Sequence, residues 1–538
     1  MTDTGRRIRP LRPLDNRPAR YPTPAQAESA ARRLALRHPD RCRLREVGRS
    51  RAGRPLMLLS VDRGPRAVLV VGGPHPNEPI GTAGTVRLAE VLLDRPACPG
   101  VSWHLLLCLD PDGAALNAGW LDGPLTMRRH YEHFFRPSFE EQPELLPAPG
   151  SGRPPMPESL ALTGLIDELR PFLQCSLHGV DFGGAFVQLT RPVQGLAGRF
   201  ARSAERAGVP LDVDSYDAIG WASPDPGTYL MPAPGTGGSR ALPDEPELST
   251  WSYAARYGAV SAVLEVPMWA VDAVGDARPH PAGAQTLAAA ARDLTARAEE
   301  LAALLPGVAA HQYEAYGHEA FGPLLRTVEL SLAAAPRVAE EWLERWGSEP
   351  LTASRVTTAG LVAARVPLRV ASVLLRLLAD ARDPAAEAAR DRARAVVTDS
   401  LDRLRHRFGA RWVPVQEQLA HQTRAVLTTA DCLLQGARPG SAGPVPPGGL
   451  AQGRGTRSPH RGIRVPGAGV GAGDGMWAAV AVEGGAGGGE FGGGRGALGG
   501  RAGVLGAGGV RRGAGVAAAG RDRAADRAAG ADGAADGA

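Results

Sequence analysis

The continuous apolar run at residues 67–71, closed by a Gly72-Gly73-Pro74 turn and followed by a helical pattern over 81–93, constrains this chain more than any other segment. A short run with no polar interruption suits a strand buried on both faces, as in a parallel sheet. The turn ends the strand, the helix crosses back, and residues 103–109 read as the next strand. Strand, loop, helix, strand is the rhythm of an α/β domain.

Upstream, residues 23–38 read as a helix, with Pro24 near the start and Ala27, Ala30, Ala31 and Leu34 on one face. Residues 43–47 and 56–61 read as strands joined by the hairpin loop 48–54. Downstream, helices are expected at 160–169, 196–207 and 253–259, and strands at 172–177, 185–189 and 261–266. A long Ala-rich helix over 282–304 can close this domain. After residue 305 the texture turns helical, with runs at 328–346, 356–381, 384–408 and 415–434.

The predicted organisation is a disordered N-terminus over 1–20, an α/β domain over 21–304 and a helical appendage over 305–436. A Gly/Ala/Arg-rich tail over 437–538 has too few large apolar residues to offset the entropy of ordering, so disorder is expected. A wrong-frame reading of a GC-rich gene would look the same. The fold class is α/β, a mixed and largely parallel sheet flanked by helices.

All 61 basic side chains counted as Lys+Arg are Arg, and the formal net charge is only +5, much of it from the tail. The folded part therefore carries no electrostatic footprint for nucleic acid. The five cysteines are odd in number and irregularly spaced, so they do not read as a disulfide framework. The first residues lack an apolar core for a secretory signal, and no uninterrupted apolar run is long enough to span a bilayer. A cytoplasmic protein without a membrane partner is expected.

The loop after residues 67–71 presents His75-Pro76-Asn77-Glu78. An imidazole and a carboxylate at this spacing can hold one Zn²⁺ from a single loop, which then needs a third protein ligand and leaves a position for water. His178 ends the apolar run at 172–177, and Glu265 lies near the end of the run at 261–266. In open α/β sheets, sites lie outside the carboxyl ends of the strands, and all four residues meet that rule. His75, Glu78 and His178 are the expected metal ligands and Glu265 the expected general base.

These pieces resemble the zinc carboxypeptidase family, the carboxypeptidase A/B-like metallopeptidases, over about residues 20–300. Gly48-Arg49-Ser50-Arg51-Ala52-Gly53-Arg54-Pro55 is similar to the family's opening hairpin and His75-Pro76-Asn77-Glu78 to its HxxE ligand pair. Asp110-Pro111-Asp112-Gly113 is similar to its Asn-Pro-Asp-Gly segment. Leu177-His178-Gly179 resembles the third-ligand segment, and Leu264-Glu265-Val266-Pro267 the segment of the catalytic glutamate. The resemblance implies a hydrolase with one zinc ion per chain that cuts a peptide or amide bond near a free carboxylate.

The chain departs from the family pattern where an Asn-Arg pair would clamp that carboxylate. Residues 127–136 hold Arg128 and Arg129, nearest to where the resemblance places an oxyanion arginine, and Arg136, the candidate for gripping a carboxylate. Tyr229, Tyr253 and Tyr257 are candidates for the family's mobile tyrosine, none at its usual spacing. His130 and His133 also have metal-ligand spacing but no strand to position them. Turn formation is the expected task of Asp110 and Asp112. Two other readings stand beside the peptidase: an amidohydrolase of the succinylglutamate desuccinylase/aspartoacylase type acting on an acylated amino acid, and a catalytically degenerate binding module.

Overall fold

The computed structural model describes residues 20–147, 151–232, 248–316, 322–347 and 350–436. The expectations for residues 1–19 and for the tail after 436 lie outside the described residues.

Helix α1 (Pro24–Arg37) starts at a capping box. Thr23 Oγ1 accepts from the Gln26 amide, and Gln26 Oε1 accepts from the Thr23 amide. The hairpin β1 (Cys42–Arg49) and β2 (Pro55–Val61) leads to β3 (Arg66–Val71), α2 (Ile80–Leu93) and β4 (Val101–Leu106). Next come α3 (Pro111–Asn117), α4 (Met127–Glu132), α5 (Pro157–Leu169) and β5 (Leu173–Leu177). The strands β6 (Val180–Gly183) and β7 (Phe186–Leu189) precede α6 (Leu196–Arg206), β8 (Ala222–Asp225) and β9 (Thr228–Leu230). Then follow α7 (Thr250–Ala254), β10 (Val260–Glu265), β11 (Pro267–Ala270) and α8 (Gly283–Ala302). The helical region holds α9 (Leu305–Tyr316), α10 (Gly322–Trp346), α11 (Ala353–Leu377), α12 (Pro384–Asp402), the short β12 (Arg411–Trp412) and α13 (Val415–Gly436).

The main sheet has the order β1-β2-β4-β3-β5-β10-β7-β9-β8. Its centre, β4-β3-β5-β10, is parallel, and antiparallel strands flank it. The apolar run that opens the sequence argument is β3, buried on both faces. Val68 and Val70 join the core under α2, α6 and α13, while Leu69 and Val71 join the core under α5. Two-sided burial is the reason the run has no polar alternation.

The chain leaves β3 through α2 to β4 on one side and later returns to β5 on the other. The order therefore reverses between β3 and β5, where a crevice opens at the carboxyl ends of parallel strands. A Cβ on Gly81, in the first turn of α2, would lie 2.3 Å from the Leu177 carbonyl oxygen at the end of β5. Only glycine lets the loop before α2 come this close to β5.

The helices after residue 305 belong to the same compact unit as the sheet. Leu287 and Leu294 of α8 share one apolar core with Val328 of α10, Leu368 of α11 and Val396 of α12. Helix α11 is long and apolar enough to cross a membrane, yet 83% of its most apolar window is buried inside the fold. Its apolar surface is covered by the protein's own core.

Candidate metal centre

The register of the central strands brings the distant residues together. Leu264 of β10 lies opposite Leu177 of β5, so the next residues along the chain, Glu265 and His178, are neighbours across the parallel pair. The His178 amide donates to the Leu264 carbonyl at 3.0 Å. On the other side of β5, Val71 of β3 pairs with Ser176, and the chain beyond Val71 turns through Gly73 (φ +55°) to His75. The Gly179 amide donates to Glu78 Oε2 at 3.2 Å and ties the two loops together.

His75, Glu78, His178 and Glu265 are all buried, each less than 9% exposed. Both oxygens of Glu78 lie 3.1 Å from His75 Nδ1, and Glu78 Oε2 lies 3.4 Å from His178 Nδ1. Glu265 Oε1 lies 3.6 Å from the same His178 nitrogen. One ligand atom each from Glu78, His178 and Glu265 falls within 4.8 Å of the others, as do those of His75, Glu144 and His178. Tetrahedral zinc with bonds of about 2.0–2.1 Å to N and O sets neighbouring ligand atoms roughly 3.3 Å apart. Glu78 lies at that spacing from both His75 Nδ1 and His178 Nδ1, the two rings stand 4.5 Å apart between centroids, and the N and O donors suit the metal. Glu265 Oε2 is buried without a hydrogen-bond partner, as expected of a group kept for a ligand not in place.

Burial and neighbouring charges shift all four groups. Burial pushes the His75 imidazole down to about 4, with help from the Arg136 charge and against the pull of Glu78, so His75 is neutral at pH 7. Burial raises the Glu78 carboxyl, but the charges of His75 and Arg136 and hydrogen bonds from both imidazoles outweigh it and hold Glu78 well below the usual range. Burial, and after it the Glu78 and Asp217 charges, drives Glu265 well above a normal carboxyl despite the opposing His178. Burial lowers His178, but Glu144, then Glu78 and Glu265, overcome it and raise the imidazole well above 6.5.

The three candidate arginines part company. Arg136 reaches the cluster: its Nη1 donates to Glu78 Oε1 at 2.6 Å and to Asn77 Oδ1 at 3.4 Å, and its Nη2 faces His75 Nε2 at 3.3 Å. Arg128 is exposed on α4 and does not line the cluster. Arg129 donates to the Gly119 carbonyl at 2.7 Å and stays there. Among the described residues, neither Arg128 nor Arg129, the residues expected to act in catalysis, bonds to the cluster.

None of the three candidate tyrosines faces the cluster. Tyr229 donates to the Asp212 carbonyl, and Tyr253 and Tyr257 both donate to Asp167. His130 is buried in an aromatic nest with Trp120, Tyr131 and Trp269, and His133 lies against Gly119. Asp110 caps α3 through the Gly113 amide, and Asp112 accepts from Ser50 and the Ala52 amide, so both do turn work.

Several residues escape sequence reasoning. Glu144 Oε2 lies 2.8 Å from His178 Nε2 and its Oε1 accepts from Ser176 Oγ and Trp251 Nε1. When the ring is neutral, an Nε2–H donated to Glu144 leaves the Nδ1 lone pair facing Glu78 and Glu265. In the sequence Glu144 ends an acidic run, Glu140-Glu141-Gln142-Pro143-Glu144, that resembles a solvated loop. The Thr250 amide, which donates to the Glu144 carbonyl, and the Leu145–Ser249 bridge pull it inward. The helical region adds two more. Arg369 of α11 pairs with Asp181 at 2.7 Å, and Asp181 also accepts from Asn77, inside the His75–Glu78 loop, at 3.4 Å. Gln422 of α13 donates to the His178 carbonyl at 2.9 Å.

Residues 27–132 match the family model described as zinc carboxypeptidase, a stretch that carries His75 and Glu78 in this geometry. This part of the chain is similar to the zinc carboxypeptidase family. Solved structures similar to the chain include a metallo-carboxypeptidase from Burkholderia cenocepacia, 16% identical, covering 45% of this chain and 60% of that one with a TM-score of 0.28. The carboxypeptidase A of Helicoverpa armigera is 16% identical, with 45% and 64% covered and a TM-score of 0.30. No curated protein matches. This chain spans less than two thirds of the length of those two solved carboxypeptidases.

Proposed function

We propose that the protein is a zinc-dependent metallocarboxypeptidase-like hydrolase that cleaves a peptide or amide bond near a free carboxylate. The observation that carries this reading is Glu78 at zinc-ligand spacing from both His75 Nδ1 and His178 Nδ1, with an unpartnered Glu265 oxygen beside them.

His75, Glu78 and His178 would hold one zinc ion. Bound there, zinc supplies Lewis acidity for a substrate carbonyl and lowers the pKa of water toward about 7. The other tasks fall to the chain itself. Glu265 accepts a proton at Oε2 and returns it to the leaving nitrogen. A general base needs a free oxygen next to the reacting centre, and Oε2 is the free oxygen. Arg136 brings a positive charge against the same cluster and can face negative charge that develops on the substrate. Glu144 holds the His178 ring in place from behind.

The missing Asn-Arg pair favours a second reading, hydrolysis of an acylated amino acid, because it removes the family's usual grip on a peptide's end. Purified full-length protein should contain one equivalent of zinc, which His75→Ala should abolish. A peptide library run beside a panel of N-acyl amino acids separates the two substrate classes. Glu265→Gln should keep its zinc and lose about 10²–10⁴-fold of turnover. Full turnover by that variant would sink the mechanism.

A further inference from the structure

A crevice lies beside the metal centre, between β6 and the loop 212–217 on one side and α11 on the other. It holds about 280 Å³ of empty space, the open solvent at its mouth included. Val180 and Phe182 line it, two and four residues after His178. Val180 packs with Phe186, the residue paired with Glu265 across β7 and β10, so a thin apolar layer joins crevice and cluster.

The α11 wall carries donors without partners. Thr358 and Arg365 stand two turns apart on one face of the helix and are 6% and 8% exposed. Thr358 Oγ1 and Arg365 Nε are buried and unpartnered among the described residues. The nearest carboxylate to Arg365 is Asp217 at 3.9 Å, too far for a hydrogen bond, and the Tyr216 ring lies 5.7 Å from its guanidinium carbon. A guanidinium taken out of water is stabilised by a bonded anion, and the long Asp217 contact leaves Arg365 able to take one. On the opposite wall, burial pushes the Asp212 carboxyl up to about 8, so this acid is mostly neutral at pH 7 and repels an anion little.

We infer that this crevice is a carboxylate-binding subsite, in which Arg365 and Thr358 of α11 grip an acidic group of the substrate. That the ligand is the substrate rests on the hydrolytic reading above; the binding itself does not. The carboxylate comes either from a chain end or from an acidic side chain. Either would displace the loose Asp217 contact and make charge-assisted bonds to the guanidinium. Helix α11 thus supplies a cation for the task that the Asn-Arg pair performs elsewhere in the family.

The test is direct binding to the full chain by calorimetry, with zinc present and after chelation. Three probes are used: N-acetylalanine, with only an α-carboxylate; N-acetylglutamate α-amide, with only a side-chain carboxylate; and N-acetylalaninamide, with neither. At least one carboxylate probe should bind, the neutral probe should bind at least tenfold more weakly, and the preferred carboxylate names the source. Arg365→Gln should weaken that binding at least tenfold and Arg365→Lys restore part of it, while exposed Arg128→Gln changes nothing. If Arg365→Gln does not fold, Thr358→Val serves, with a several-fold loss expected. Unchanged affinity in the folded Arg365 or Thr358 variant overturns the subsite, as does loss of all carboxylate binding on chelation. A protein that binds carboxylates in this way but hydrolyses nothing would defeat the hydrolytic reading and leave the subsite standing.

Discussion

The carboxyl edge of the sheet and the helices after residue 305 meet at the same cluster but bring different chemistry to it. The sheet supplies every group with a free lone pair: His75, Glu78, His178 and Glu265, at the ends of β3, β5 and β10. The helices supply donors around those groups: Arg369 acts through Asp181 on the His75–Glu78 loop and Gln422 on the His178 carbonyl, while Arg365 lines the neighbouring crevice. The difference teaches that reactive atoms were placed by strand register, which is rigid, whereas support and selectivity came from elements added around that frame. Changes to the first region should abolish function, and changes to the second should tune it.

The largest effect is expected from His178→Ala. It removes one of three ligand atoms, and zinc retained after dialysis should fall to near zero by metal analysis, with no turnover left. If His178→Ala keeps its zinc, the sheet edge is not the metal centre and the comparison collapses.

Next in size is Glu144→Gln, which weakens the anchor on His178 Nε2 but leaves all ligands in place. Loss of such a supporting contact costs about 10–100-fold in metal affinity, measurable by chelator competition. An unchanged affinity would reduce Glu144 to a structural residue.

A smaller effect is expected from Arg369→Met, which leaves Asp181 fully buried and unpaired. Breaking a buried pair costs about 3–5 kcal/mol, and the partly exposed Arg369 head puts this case at the low end, about 3 kcal/mol or less by denaturant melting. Zinc affinity should fall only a few-fold. A fall as large as that of Glu144→Gln would show that the helices determine the centre instead of tuning it.

The smallest is a pH effect at Asp212. Burial raises its carboxyl from 3.8 to about 8 in the folded protein, so the folded state holds a proton that the unfolded state releases. Its contribution is fully present below about 4 and is lost as pH rises through about 8. Asp212→Asn should flatten that part of the decline in thermal midpoint between pH 4 and 8. An identical slope in the variant would place the sensitivity elsewhere.

Much of this was legible because local pattern and local structure agree. The apolar run at 67–71 is β3 at Arg66–Val71, the hairpin read at 43–61 is β1 and β2, and the helical runs after 305 are α10 to α13. Boundaries moved by a few residues: the strand read at 103–109 ends at Leu106, where the chain turns toward α3, and the helix read at 253–259 is Thr250–Ala254. Among the three arginines the sequence could not choose: Arg129 bonds the Gly119 carbonyl, Arg128 is exposed, and Arg136, beyond the end of α4, pairs with Glu78.

By itself the sequence determined the strand–loop–helix rhythm, the HxxE loop and the polar residues at two further strand ends, because period and turn chemistry are local properties of the chain. Only the tertiary structure decided that Glu144 stands behind His178, that Arg369 and Gln422 brace the centre, and that Arg365 faces a crevice. Those contacts join residues from 34 to 244 positions apart. Their partners are chosen by how helices settle on the sheet, and no spacing along the chain encodes that choice.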